Sequence, residues 1–184
     1  MLAAPNRCTA YEILDLVQTV KTGAFRYCQG LTAVTFPASL TTIEAQAFTS
    51  CLSLTDVQLP DGLKTIGDFA FAGCAALTSV LIPKSVTSIG AGAFTGCTAL
   101  TDVTIPAGVS TIPEDCFRGC TALADIDLPG TVTHVGHNAF TGCTALKDVR
   151  CYGAAPAVEP GNSEAHSFEP ATVTIHYNLS LIHI

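Results

Sequence analysis

The sequence predicts a β-rich solenoid of about seven short coils, and three observations carry that prediction. A cysteine returns every 23 residues, at Cys28, Cys51, Cys74, Cys97, Cys120 and Cys143. Each is preceded at three residues by a phenylalanine (Phe25 to Phe140) and followed at three by a leucine (Leu31 to Leu146). Nothing between successive cysteines is long enough for an independent helix, which averages about 11–12 residues. A fixed period in the twenties marks coils that bury a continuous core only by stacking on one another.

The coil from Cys74 to Cys97, CAALTSVLIPKSVTSIGAGAFTGC, shows how each element arises. Leu77, Val80 and Ile82 have the L-x-x-L-x-L spacing of a short strand whose inward side chains enter the core. Pro83 follows, with counterparts at Pro37, Pro60, Pro106 and Pro129. Proline has no N–H for a ladder, so it closes the strand. Val86 and Ile89 are the inward positions of a second, sparser extended segment on the opposite wall. Gly90 allows a turn, and Ala93 and Phe94 tuck into the core in a short helical or 3₁₀ corner. Coils stacked at about 4.8 Å make a curved rod roughly 30–35 Å long.

The phase of the repeat sets the domain organisation. Tyr11, Ile13, Val17 and Val20 fill the slots of Val34, Phe36, Leu40 and Ile43, so residues 1–10 read as an incomplete coil and 11–150 as the solenoid. Residues 1–5 have neither the basic segment nor the apolar stretch of a signal peptide. The chain is therefore expected to begin inside a longer array. Past Cys143 the pattern frays. Ala154 to Ser167 is a polar loop, Phe168 and Ala171 to Tyr177 read as a last strand, and 151–178 is expected to cap the core. Leu179 to Ile184 can be encoded by a transposon mosaic-end adapter read in frame, so 179–184 is expected to be foreign to the fold and its deletion harmless.

Composition excludes several classes. The chain is 48% apolar and only 12% charged, but the apolar residues are spread through every repeat. No run approaches the ~18 residues of a spanning helix, so no membrane insertion is expected. A net charge of −7 with eight Lys and Arg leaves nothing to neutralise phosphates and argues against nucleic acid. Six of the nine cysteines share one repeat position, where they stack as a ladder of small buried hydrophobes. A ladder of single cysteines does not converge on a point, so neither metal nor a disulfide framework is expected. Cys116 takes the slot of Ala47, Ala70, Ala93 and Ala139 and reads as core, while Cys8 and Cys151 lie off the ladder.

The repeat C-x-x-L-T-x-V-x-[FLI]-P-x-x-[LV]-x-x-[IV]-x-x-x-[AC]-F-x-x-C resembles the BspA-like leucine-rich repeats of bacterial and protist surface proteins. "AFTGCTALTDVTIP" and "AFAGCAALTSVLIP" carry the resemblance, which covers about Tyr11 to Tyr177. It implies a leucine-rich-repeat solenoid that is secreted or displayed at the cell surface, adheres to host or matrix proteins and performs no catalysis. No cofactor is implied. A passive spacer, or an accessory region of a larger protein, is the alternative.

The search for chemistry agrees with that inventory. There is no G-x-S-x-G, H-E-x-x-H, P-loop or C-x-x-C. Gly90 to Gly96 imitates a dinucleotide loop but sits on the repeated turn with no long helix behind it. His134 and His137 read as an ordinary exposed pair. One ordered polar pattern remains, five residues after each cysteine: Ala33, Asp56, Ser79, Asp102, Asp125 and Asp148. The next outward position adds Asp127 and Arg150. Asp102, Asp125 and Asp148 are expected to stack about 5 Å apart, where neighbours repel by on the order of 1 kcal/mol even in water. A solvated acidic face is the plainer reading; the sharper one makes Asp56, Asp102, Asp125, Asp127 and Asp148 the binding face for a basic protein ligand.

Overall fold

A computed structural model describes residues 9–158 and 174–177. The segments after each leucine alternate outward and inward with period two, and they pair into a front wall. Its strands are β1 (Ala10–Glu12), β3 (Ala33–Thr35), β5 (Asp56–Val57), β7 (Ser79–Leu81), β9 (Asp102–Thr104), β11 (Asp125–Leu128), β13 (Asp148–Cys151) and β15 (Thr174–Tyr177). The back wall has two-residue strands: β2 (Thr19–Val20), β4 (Thr42–Ile43), β6 (Thr65–Ile66), β8 (Ser88–Ile89), β10 (Thr111–Ile112), β12 (His134–Val135) and β14 (Ala157–Val158). All pairs are parallel, and repeat positions align in register: Tyr11 with Val34, Val80 with Val103, Ile126 with Val149, Ile43 with Ile66. The solenoid and its second, sparser sheet are thus as the repeat predicts. Residues 1–8, 159–173 and 178–184 lie outside the described set, and with them Cys8, Phe168, most of the expected cap and the adapter-like hexapeptide.

Each wall has one seam. On the front, β1-β3-β5-β7-β9 and β11-β13-β15 are separate ladders; on the back, β2-β4-β6-β8 and β10-β12-β14 are. The front seam coincides with a side-chain change. Thr32, Thr55 and Thr101 each send Oγ1 to the carbonyl of the equivalent residue one coil earlier (Thr9, Thr32 and Thr78). Ala124 occupies that position in the next coil and has no hydroxyl to give.

The core is one continuous column between the walls. Phe48, Phe71, Phe94, Phe117 and Phe140 are buried and stack face over face, with centroids 5.2, 5.6, 5.6 and 5.5 Å apart. The ring spacing repeats the coil spacing, so the aromatic column and the β ladders share one rise. Leu54, Leu77, Leu100 and Leu123 form a second fully buried column. The prolines act at the edge of this core: each carbonyl from Pro37 to Pro129 accepts the N–H three residues on (Leu40, Leu63, Val86, Val109, Val132), turning the chain from front to back wall.

The corner before each cysteine is a succession of tight turns, as expected, and its conformation is specific. Its amides alternate between two targets. Those of Gly92, Phe94 and Gly96 donate to Glu114, Cys116 and Arg118 in the next coil, and those of Ala93, Thr95 and Cys97 donate three residues back within their own coil. The alternation needs two left-handed residues four apart, and every corner has them: 23 and 27, 46 and 50, 69 and 73, 92 and 96, 115 and 119, 138 and 142. The second slot explains why glycine precedes most of the ladder cysteines, since a side chain there is strained even where space is open. Phe69 holds φ 54° at the first slot, its ring lying where a Cβ on Gly92 would have to go.

Cys51, Cys74, Cys97, Cys120 and Cys143 are buried and reduced; Cys28 is half-buried. Each buried thiol donates to the carbonyl of the phenylalanine in the preceding coil, Cys74 to Phe48 and Cys97 to Phe71, at 3.1–3.2 Å. That oxygen already accepts a backbone amide, so the thiol fills its second lone pair in a slot too small for a larger donor. Cys116 and Cys151 are also buried and reduced. Burial pushes Cys97 and Cys143 up to about 12, and raises Cys116, Cys120 and Cys151 as well.

Two predictions follow from this packing. Phe71→Ala or Phe94→Ala removes one ring from an unbroken stack and should destabilise the rod by about 3–5 kcal/mol, read as a lowered urea midpoint; an unchanged midpoint contradicts the packing. The thiols should resist a labelling reagent in the native protein. Because the folded pKa of Cys97 and Cys143 is raised, their contribution to stability is intact below the ordinary thiol value of about 8.5 and declines as pH climbs toward 12. Cys97→Ala should make that alkaline decline of the urea midpoint shallower.

Candidate functional site: the outward face of the front wall

Strand pleating decides which residues of the front wall face solvent. Inward Val57, Val80, Val103, Ile126 and Val149 are buried, and their neighbours point out. Coil by coil the outward pairs are Ala10 and Glu12, Ala33 and Thr35, Asp56 and Gln58, Ser79 and Leu81, Asp102 and Thr104, Asp125 and Asp127, Asp148 and Arg150, Thr174 and His176. All five carboxylates named from the sequence therefore lie on one face. Their arrangement is not a uniform stack. Asp125 and Asp148 are in register, as are Asp56, Ser79 and Asp102, but the seam between β9 and β11 divides the two groups.

The half beyond the seam carries its own partners for these carboxylates. Arg150 Nη1 donates to Asp127 Oδ1 at 2.8 Å and to Asp125 Oδ1 at 3.3 Å. Hydrogen bonding and charge from Asp127, then charge from Asp125, raise the guanidinium pKa further. Tyr152 OH donates to Asp127 Oδ2 at 3.2 Å, and His176 Nε2 lies 3.0 Å from Asp148 Oδ1. Of the three carboxylates expected to stack and repel, Asp125 and Asp148 thus have partners within the chain, and Asp102 lies across the seam from Asp125. Before the seam, Gln58 Nε2 reaches Asp56 Oδ2 at 3.4 Å, and among the described residues no ion pair holds Asp56 or Asp102.

Arg150 was legible in the sequence as the residue one period after Asp127. His176 was not, because β13 and β15 pair Arg150 with His176 at a spacing that breaks the repeat. Leu81, outward and 70% exposed, is an apolar interruption in this polar face. It forms one wall of an open cleft of about 950 Å³ with Pro83, Thr104, Pro106 and Pro129. A second pocket, about 500 Å³, is the end of the core column at Tyr11, Val17 and Phe25.

The remaining residues with chemical potential do not assemble. His134 lies on the exposed back wall with Nδ1 2.9 Å from Thr133 Oγ1. The Gly90 to Gly96 segment is one of the repeated corners. Among the described residues no group of three His, Cys, Asp or Glu could hold a metal ion, and no helix is long and apolar enough to cross a membrane.

Comparison with known proteins follows this geometry. Residues 18–147 match the BspA type leucine rich repeat region in six copies. The chain belongs to the BspA-type leucine-rich repeat family. A leucine rich cell surface protein of Faecalibacterium prausnitzii is 27% identical, with a TM-score of 0.62 over 92% of this chain and 59% of that one. A leucine-rich repeat protein of Bacteroides ovatus is 25% identical, with a TM-score of 0.60 over 83% of this chain and 51% of its own. The Treponema pallidum (T. pallidum) leucine rich repeat protein is 27% identical, with a TM-score of 0.64 over 76% and 78%. This BspA-type chain therefore spans little more than half the length of the first two. No curated protein gives a significant match.

The ion pairs generate a prediction. Arg150→Ala should lower the melting temperature modestly at low ionic strength, because it leaves Asp125 and Asp127 facing each other uncompensated, and the difference should vanish in concentrated salt. Asp102→Asn, with no cation to lose, should leave it unchanged or slightly raised. A salt-independent loss for Arg150→Ala would assign the residue a packing role instead.

Proposed function

We propose that this BspA-type repeat is a protein-binding module of adhesion type, belonging to a secreted or surface-displayed protein, with the front wall as its recognition surface and no catalytic role. One observation carries the reading. The outward row of the front wall is an open sheet face running the length of the rod, and its polar side chains include the five carboxylates, spread over four of its coils. Stacked coils give such a face an extent that a small globular surface lacks. The likeness to a solved cell surface protein supports display outside the cell. The acidic sign of the face suits a basic protein ligand, such as a host or matrix protein, and steers its approach through charge.

The test measures association of a cationic candidate ligand with the parent and with a variant carrying Asn at Asp56, Asp102, Asp125, Asp127 and Asp148. The association rate should fall with the substitutions and with rising salt, since exposed charges are screened over about 8 Å at physiological ionic strength. Binding that is equal for the two chains rejects the front wall as the recognition surface.

A further inference from the structure

Within that reading of the front wall, the geometry points to a defined docking cleft in the half before the seam, built for an extended peptide segment of another protein in which an aliphatic side chain lies between two lysines or arginines. Three observations converge. First, Leu81 stands 70% exposed on an otherwise polar sheet face. Beside it the chain turns at Pro83, and the next two prolines, Pro106 and Pro129, continue the cleft of about 950 Å³ along the rod. Its floor is Ile82 and Ile105, both buried. A shallow, proline-walled trough open along its length accepts a chain lying in it.

Second, the charges beside the trough want a partner that the chain itself does not supply. Asp56 and Asp102 sit one coil to either side of Ser79 and Leu81. Among the described residues neither has an ion pair, as Glu12 at the far end of the wall also has none, while Arg150 pairs with Asp125 and Asp127 and His176 Nε2 lies 3.0 Å from Asp148 Oδ1. The far rim of the trough carries Asp61 and Lys84 in adjacent coils, an acid and a base whose charges offset. The uncompensated field is therefore on the wall side, at either flank of Leu81.

Third, the spacing sets the pattern. Two coils separate Asp56 from Asp102, about 9–10 Å at the usual strand separation. An extended chain in the polyproline II conformation running along the rod advances about 3.1 Å per residue and brings every third side chain to the same side, so cations three residues apart meet both carboxylates while an aliphatic residue between them leans toward Leu81. Carbohydrate is a poorer occupant, because none of Asp56, Gln58, Ser79, Leu81, Asp102 and Thr104 offers an aromatic platform. An anionic membrane surface is repelled by the same two carboxylates.

Random peptides displayed on phage and selected on the intact protein test this, with the enriched sequences synthesised and their affinities measured by fluorescence anisotropy. The expected peptides carry an aliphatic residue between lysines or arginines spaced three apart. Leu81→Ser and Asp102→Asn should each weaken them by about fivefold or more, through lost apolar contact and lost attraction respectively. Asp125→Asn should change affinity by less than about twofold, its carboxylate being already paired. Leu81 is exposed, so its substitution leaves the fold intact, and circular dichroism verifies that. Peptides that respond to Asp125→Asn or Asp148→Asn and ignore Leu81→Ser overturn the cleft while leaving the front wall as the binding face. Peptides indifferent to every substitution on the wall, or no enriched peptide at all, overturn both.

Discussion

Everything in this molecule depends on the fact that a single coil cannot satisfy itself. Its walls are two to four residues wide, so every backbone amide that faces along the rod must find its carbonyl in a neighbouring coil. Its core is one phenylalanine, one cysteine and a handful of aliphatic residues, each covered above and below by its own counterparts. Stacking in register at a spacing of 23 residues resolves both demands together. The aromatic rings, the thiol-to-carbonyl bonds and the threonine hydroxyls each repeat that translation. Such an array is stabilised by nearest neighbours, with no central core that could survive the loss of a coil.

That dependence explains why so much of the fold was legible. A residue that must match its counterpart one coil away is written into the sequence repeatedly, so the inward columns of Leu, Val and Phe, the prolines that close the strands and the buried cysteines could all be read by phase alone. The corner was legible as a short turn, but its alternation of left-handed residues was not. A run such as Gly-Ala-Gly-Ala-Phe-Thr-Gly suits a tight helical turn as well as it suits alternating left-handed residues. Only the direction of the amides toward the next coil separates them, and that is a contact between distant residues. Phe69 conceals the pattern further, because a bulky side chain in a left-handed slot is not what the sequence advertises.

The candidate site was half legible for a related reason. The five carboxylates follow the period and were found by it, but their electrostatic state does not follow the period. Arg150 and His176 come from the last coils, where the repeat loosens, and they give the carboxylates of one half of the acidic column partners within the chain. The seam at Ala124 then separates that half from Asp102 and Asp56. A column that looks uniform in the sequence is in effect two surfaces. One is closed by Arg150 and His176 and one is open beside Leu81. On the proposed reading of the front wall, recognition is a matter of where the repeat departs from itself, since the repeated positions build the scaffold.

The central claim is that corner amides are bonded from coil to coil and are as much a part of the array as the walls. Amide hydrogen exchange followed by NMR in the native protein tests it most directly. The account predicts that the amides of Gly92, Phe94 and Gly96 exchange as slowly as those of Val80 and Val103 in the front wall, and that these groups lose protection together as denaturant is added. Corner amides that exchange freely while the walls stay protected would contradict it.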